Sequence, residues 1–97
     1  MKIRLGWDES KRLVNLAKHG LDFANTNQVL DSCYRMDISV VRNGEPRIMS
    51  FSYVMKRLAV LTVIHLDREG TVRIVSFRPA SEIETEAYYE WLEQEND

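Results

Sequence analysis

The chain has 97 residues, of which 44% are hydrophobic and 29% charged, a composition typical of a small globular protein. We expect a single domain over residues 1–97, and no membrane partner, because the longest apolar-rich run, Leu58 to Leu66, is too short to span a bilayer. The single cysteine, Cys33, excludes an internal disulfide and favours a reducing cytoplasm, and we interpret it as a small buried hydrophobe.

The net charge of −2 conceals an uneven distribution along the chain. Residues 1–80 contain all thirteen Lys and Arg residues and eight of the fifteen acids, which gives this part a net charge of +5. Residues 81–97 contain seven acids and neither Lys nor Arg. The asymmetry indicates a polyanionic partner for the basic part, and a solvated acidic helix face is the alternative explanation.

The first third of the chain predicts one strand and two helices. Polar and apolar residues alternate over Lys2–Gly6, as in a short strand. Asp8 is a typical N-cap and Gly20 a typical left-handed stop, so they bound the first helix. The second helix is predicted from about Phe23 to Leu30.

The rest of the chain predicts four strands and a final helix. The Arg42–Glu45 segment has the composition of a hairpin turn, and Pro79 ends the last strand. The predicted strands are Met36–Val41, Arg47–Val54, Leu58–Leu66 and Thr71–Phe77. Short connections favour antiparallel neighbours. The predicted fold class is therefore α+β, a small antiparallel sheet in the order βααββββα.

The last helix begins with Ser81 and Glu84 in the spacing of a capping box. An apolar face is predicted to dock on the sheet, formed by Ile83, Ala87, Tyr88, Trp91 and Leu92. We interpret Trp91, like Trp7, as a core anchor rather than a platform for stacked bases.

Three short blocks resemble the BrnT family of bacterial toxins. The first is Trp7-Asp8-x-x-Lys11-x-x-x-Asn15-x-x-Lys18-His19-Gly20-x-x-Phe23, the second Gly44-Glu45-x-Arg47, and the third Arg73-Ile-Val-Ser-x-Arg78-x-Ala80. The blocks follow in the family's order and span nearly the whole chain. The chain departs from the family in Ser81–Glu86, where relatives usually place arginines, and in Val40–Asn43, which lacks their acidic-aromatic run.

The resemblance implies a RelE-like fold and a metal-independent endoribonuclease, a hydrolase that cuts RNA to stop translation without a cofactor. It also implies a cognate antitoxin with a ribbon-helix-helix DNA-binding part, with a 2:2 complex as one expected assembly. DNA would be contacted only through the antitoxin, and the complex would repress its own operon.

Metal-independent cleavage of RNA through the 2′-OH needs proton transfer and cations for the phosphorane. The candidate catalytic residues in the matched blocks are His19 for proton transfer, with Lys18, Arg47 and Arg78 for charge. In a regular strand Arg73 would face away from Arg78, so we expect at most one of the two to face a given substrate.

Other interpretations of these residues stay open. His19 could stabilise the helix C-terminus as an imidazolium, and Arg47 and Arg78 could pair with surface glutamates. His65 has no matching motif, and we expect it to be packed or at a rim. The alternative function is a non-catalytic interaction module that keeps the toxin fold to bind an antitoxin-like partner and take part in autorepression.

Overall fold

The computed structural model of the protein describes residues 4–95. Two residues of the predicted first strand, Lys2 and Ile3, lie outside the described residues. The elements in chain order are β1 (Arg4–Trp7), α1 (Glu9–His19), a 3₁₀ turn (Phe23–Asn25), α2 (Asn27–Leu30), β2 (Met36–Arg42), β3 (Glu45–Val54), β4 (Ala59–Arg68), β5 (Thr71–Pro79) and α3 (Glu82–Glu95).

Five strands form one sheet in the order β1-β5-β4-β3-β2, with β4 at its centre. The α+β class is confirmed, and most strand pairs are antiparallel. The predicted antiparallel sheet is confirmed for these pairs but not for β1, which pairs with β5 in parallel. These two strands are separated by most of the chain, so no short connection forces them to run in opposite directions.

The second predicted helix is shorter than expected. Instead of one helix from Phe23 to Leu30, the chain forms the 3₁₀ turn and then the single-turn helix α2. Asp22 caps the 3₁₀ turn by accepting a hydrogen bond from the Ala24 N–H. The buried Thr26 interrupts the helix, because its hydroxyl donates to the carbonyl of Phe23.

Each face of the sheet has its own hydrophobic cluster. One face, which we call the α2 face, packs against α2 and the 3₁₀ turn around Phe23 and Phe77. The other, the α3 face, packs against α3 around Phe51 and the fully buried Tyr88. Side chains of a regular strand in this sheet therefore point alternately to the α2 face and to the α3 face.

The capping box of α3 is confirmed, because the Ser81 N–H donates to Glu84 and the Glu84 N–H donates to the Ser81 hydroxyl. Tyr88 anchors the helix, while Trp91 is only partly buried. The wider apolar face was a wrong prediction, since Ile83 and Ala87 are exposed. Ile83 is five residues from Tyr88, which places it about 140° further around the helix.

The cysteine assignment was also wrong, because Cys33 is exposed. It lies in the turn between α2 and β2, and turns of this kind usually run over the surface. Among residues 4–95 the structure has no helix that is both long and apolar enough to cross a membrane.

A bulge in β5 changes which side chains share a face. Ile64 pairs with Ser76 and the next residue, His65, pairs with Ile74, so Val75 is left without a partner. The extra residue reverses the alternation of side chains beyond it. Arg73 and Arg78 consequently point to the same α3 face, which corrects the prediction that they face opposite ways.

Candidate functional site

The buried side chain of Asn15 joins the middle of α1 to the edge of β5. Its Nδ2 donates to the carbonyl oxygens of Phe77 (2.7 Å) and Leu21 (3.0 Å), and its Oδ1 accepts the N–H of Phe77 (3.2 Å). β1 pairs with β5 only as far as Ile74, so the amide takes the place of the missing strand at Phe77. Asn15 is the only buried residue of α1. Asn15 lies in the first of the three matched blocks, but its position in the sequence does not predict this role.

The same contact brings His19 towards Arg78. His19 follows Asn15 by one helical turn and ends α1, while Arg78 follows Phe77 directly. Gly20, with a φ of 69°, closes the helix in the left-handed conformation as predicted. The Arg57 guanidinium donates to the carbonyl of Gly20 (3.0 Å) and holds the loop behind the histidine.

A shallow groove of about 310 Å³ runs between α1 and β5 beside this contact. Lys18 and His19 line it together with Asn15 and the bulge residues Val75 and Ser76. Lys18 is exposed and His19 is half-buried, so both side chains are accessible to a ligand in the groove.

Burial lowers the pKa of His19 below its ordinary value, and the positive charges of Lys18 and Arg78 lower that pKa further. The imidazole is therefore mostly neutral at neutral pH and can accept a proton. This weakens the alternative explanation for His19, because the helix C-terminus is stabilised by the charged form only.

Arg78 is held by a carboxylate from the start of α3. Its two terminal nitrogens donate to the two oxygens of Glu84 at 2.8 and 3.0 Å. Arg78 lowers the pKa of Glu84 to about 2, with a smaller effect from Ser81. The ion pair therefore persists throughout the physiological pH range, and a phosphate that binds to this fork competes with Glu84.

Arg47 is not brought together with the other candidates. It lies on β3 beside Glu45, which accepts from its guanidinium at 3.2 Å. Arg78 pairs with Thr62 and Thr62 with Phe51, four residues along β3 from Arg47. Strand geometry puts the Cα atoms of the two arginines about 16 Å apart, although both side chains point to the α3 face.

His65 is packed, in agreement with its expected role. It is fully buried, with Nδ1 2.5 Å from an oxygen of Asp67 and Nε2 2.8 Å from the hydroxyl of Ser50. The three resemble a catalytic triad, but Ser50 is itself fully buried and donates its hydroxyl hydrogen to Asp37 (2.6 Å). No substrate reaches this serine, so the network is structural.

Histidine, cysteine, aspartate and glutamate do not gather in threes anywhere in residues 4–95 in a way that could bind a metal ion. The groove is lined instead by His19 and Lys18 of α1, and Arg78 of β5 lies close enough to lower the pKa of His19. Lysine and arginine side chains of this kind are able to bind phosphate groups.

The comparison with known families agrees with binding of phosphate groups. Residues 7–84 match the family model described as ribonuclease toxin, BrnT, of type II toxin–antitoxin system. The match covers most of the chain, so the protein belongs to this family, and the resemblance inferred from the sequence is confirmed. No curated protein sequence matches the chain. Membership in a family of type II toxins implies an RNA target and an antitoxin partner.

Replacing Asn15 tests whether its amide holds α1 against β5. Asn15→Ala leaves the buried N–H and carbonyl of Phe77 without partners, so we expect it to destabilise the protein by about 2–3 kcal/mol. Asn27→Ala, an exposed asparagine on α2, is the control and should change stability by less than about 0.5 kcal/mol. Urea denaturation measures both, and equal midpoints would contradict the role of Asn15.

The protonation of His19 can be measured directly by NMR titration of its ring protons. The pKa should lie below the ordinary value of about 6.5. Lys18→Gln removes a positive charge that opposes protonation, so it should raise the pKa of His19. Arg47→Gln removes the same charge from a distant strand and should leave that pKa unchanged. A wild-type pKa above 6.5 would show that burial and the cations do not dominate.

Proposed function

We propose that the protein is a metal-independent endoribonuclease of RelE-like type that stops translation by cutting RNA in the cytoplasm. The observation that supports this best is the Asn15–Phe77 contact, which brings Lys18 and His19 at the end of α1 to Arg78 on β5. A proton acceptor and two cations are among the groups that cleavage through the 2′-OH requires, and the leaving 5′-oxygen also needs a proton.

In the proposed reaction, neutral His19 accepts the proton of the 2′-OH as that oxygen attacks the adjacent phosphorus. Arg78 donates to the phosphorane oxygens, and Lys18 adds positive charge at the same end of the groove. The 5′-oxygen leaves with a proton taken from solvent water, the imidazolium of His19 returns its proton to the resulting hydroxide, and the other product ends in a 2′,3′-cyclic phosphate. Arg47, on its distant strand, acts at another phosphate of the RNA rather than at the reacting one.

Glu84 regulates access to Arg78 in this proposal. The carboxylate occupies both nitrogens that a phosphate would use, so RNA binds only by displacing it. The family that the sequence resembles usually has arginines at the start of this helix, whereas in this protein the carboxylate of Glu84 neutralises Arg78. The protein should therefore be a weaker ribonuclease than its site would otherwise allow.

The partner that we infer is a cognate antitoxin with a ribbon-helix-helix DNA-binding part. The complex, with a 2:2 assembly as one form, binds DNA through the antitoxin and represses its own operon. The exposed acids of α3 and the basic part of the chain offer surfaces of opposite sign to such a partner.

A non-catalytic interaction module is the second candidate function, and a groove beside α3 favours it. This groove has a volume of about 650 Å³ and an apolar lining of Tyr34, Tyr53, Met55, Tyr88, Tyr89 and Leu92. Aromatic and methionine side chains are enriched in protein interfaces. The two functions differ in one respect, because only the ribonuclease needs His19 and Arg78.

RNA cleavage by the purified protein decides between the two functions. His19→Ala should lower kcat/KM by roughly 10²–10⁴-fold, and Arg78→Ala by roughly 10²–10³-fold. Arg35→Ala is the matched control, since its side chain is 26% exposed and paired with Asp37, as Arg78 is 27% exposed and paired with Glu84. It should retain full activity. EDTA should have no effect.

Undiminished cleavage by both site variants would contradict the site, and a metal requirement would contradict the mechanism. Absence of cleavage by the wild-type protein, together with binding of an antitoxin, would favour the interaction module.

The competition at Arg78 is tested by Glu84→Gln. Glutamine can keep the capping box but loses the charge that holds Arg78. We expect kcat/KM on RNA to rise by roughly tenfold at low salt, which corresponds to about 1.4 kcal/mol. Glu86→Gln removes the same charge from an exposed position of the same helix and should have little effect. Equal or lower activity of Glu84→Gln would mean that Glu84 orients Arg78 rather than blocks it.

A further inference from the structure

A second cationic region lies on the α3 face, at the opposite end of the sheet from the β3–β4 turn. We call it the arginine end, and it consists of Arg4, Arg42, Arg47, Arg68 and Arg73. Arg4 and Arg68 both pair with Thr71, Arg73 pairs with Leu66, and Arg42 pairs with Glu45. Paired residues on neighbouring strands point to the same face of a sheet, so each of the five strands contributes one arginine to this surface.

Most of these charges are unpaired. Arg4, Arg42, Arg68 and Arg73 are exposed, and none makes an ion pair or side-chain hydrogen bond with another residue between Arg4 and Glu95. Arg47 alone pairs with a carboxylate, that of Glu45. Four of the five guanidinium groups therefore make no ion pair within residues 4–95, and α3, which packs around Phe51, does not cover them.

The arginine end also has a cavity with a mixed lining. Its volume is about 320 Å³, and it is lined by Arg68, Arg73, Thr71, Leu66 and Glu45. Leu66, the β4 residue that pairs with Arg73, adds an apolar side chain to the lining, and Thr71 adds a hydroxyl that can donate. Two unpaired guanidiniums with a neighbouring hydroxyl match the oxygens of a phosphate group.

We propose that the arginine end is a phosphate-binding subsite for the RNA strand, separate from the cleavage site, with Arg73 and Arg68 as its main contacts. This inference rests on the proposed function. The bulge at Val75 makes it geometrically possible, because without it Arg73 would point to the α2 face, away from Arg78. Half-buried Ile64 and Ser76 lie between the two arginines on the same face.

The separation of the two cationic regions sets the length of RNA that the subsite needs. Arg78 pairs with Thr62 and Arg73 with Leu66, four residues along β4, which is about 13 Å. A stacked strand with one phosphate per 3.4 Å covers this distance with about four nucleotides. The subsite therefore contributes to long substrates and has no effect on a dinucleotide.

The test is binding of an uncleavable RNA, a 2′-O-methyl single strand of about twelve nucleotides, measured by fluorescence anisotropy at about 50 and 200 mM salt. For a single strand each phosphate that loses its protein contacts lowers the slope of log K against log salt by about 0.7, so Arg68→Gln with Arg73→Gln, which removes both arginine contacts to one phosphate, should lower it by about 0.7. Arg73→Lys keeps the charge and should keep most of the slope.

Lys56→Gln is the matched control, since it removes one exposed charge at the opposite end of the sheet, in the β3–β4 turn. It should change neither affinity nor slope. In a cleavage assay, the double variant should be impaired on the long RNA and equal to wild type on a dinucleotide. Circular dichroism verifies that each variant is folded.

The outcomes separate this inference from the proposed function. Loss of RNA binding in the double variant supports the subsite even if the wild-type protein cleaves nothing. Wild-type affinity and slope in the folded double variant overturn the subsite even if cleavage is confirmed. A loss of affinity for polyglutamate but not for RNA also overturns it, because the arginines would then serve an acidic protein segment.

Discussion

The candidate site depends on one hydrogen-bonded contact, the side-chain amide of Asn15 against the backbone of Phe77. β1 stops pairing with β5 at Ile74, so beyond this point the edge of β5 has an N–H and a carbonyl that need other partners. Asn15 supplies both from a helix, so the last turn of α1 is fixed beside the last residues of β5. By pairing with these two backbone groups of Phe77, Asn15 places His19 near the next residue of β5, Arg78.

Local chemistry explains what the sequence could predict. The cap at Asp8, the left-handed Gly20 and the Ser81–Glu84 box each depend on residues within one helical turn, and each is confirmed. The direction of the Arg73 side chain depends on the bulge in β5. A bulge is a mismatch in the pairing of two strands, so the alternation of residues within one strand does not reveal it. The role of Asn15 likewise depends on where β1 stops pairing, which is a property of the assembled sheet.

The acidic residues of the C-terminal segment also show that composition does not predict where a side chain lies in the fold. The sequence separates a basic part from an acidic C-terminal segment, and from this alone the acids could be a solvated surface. In the structure the acids of α3 have different surroundings. Glu82 and Glu86 are exposed, while Glu84 pairs with Arg78. Only one acid of the helix therefore interacts directly with the candidate site, and it is the one that helix capping already requires.

The two histidines show why residue type alone does not identify a site. His65 has a carboxylate and a hydroxyl within hydrogen-bonding distance, which is the better catalytic environment by residue type, but it is fully buried. His19 has no such partners within residues 4–95, yet it is accessible and its pKa is lowered by burial and by two neighbouring cations. A reacting group must meet its substrate as well as hold the right protonation state. Accessibility therefore favours the histidine at the helix end, and the cations that lower its pKa are the groups that would bind the phosphate.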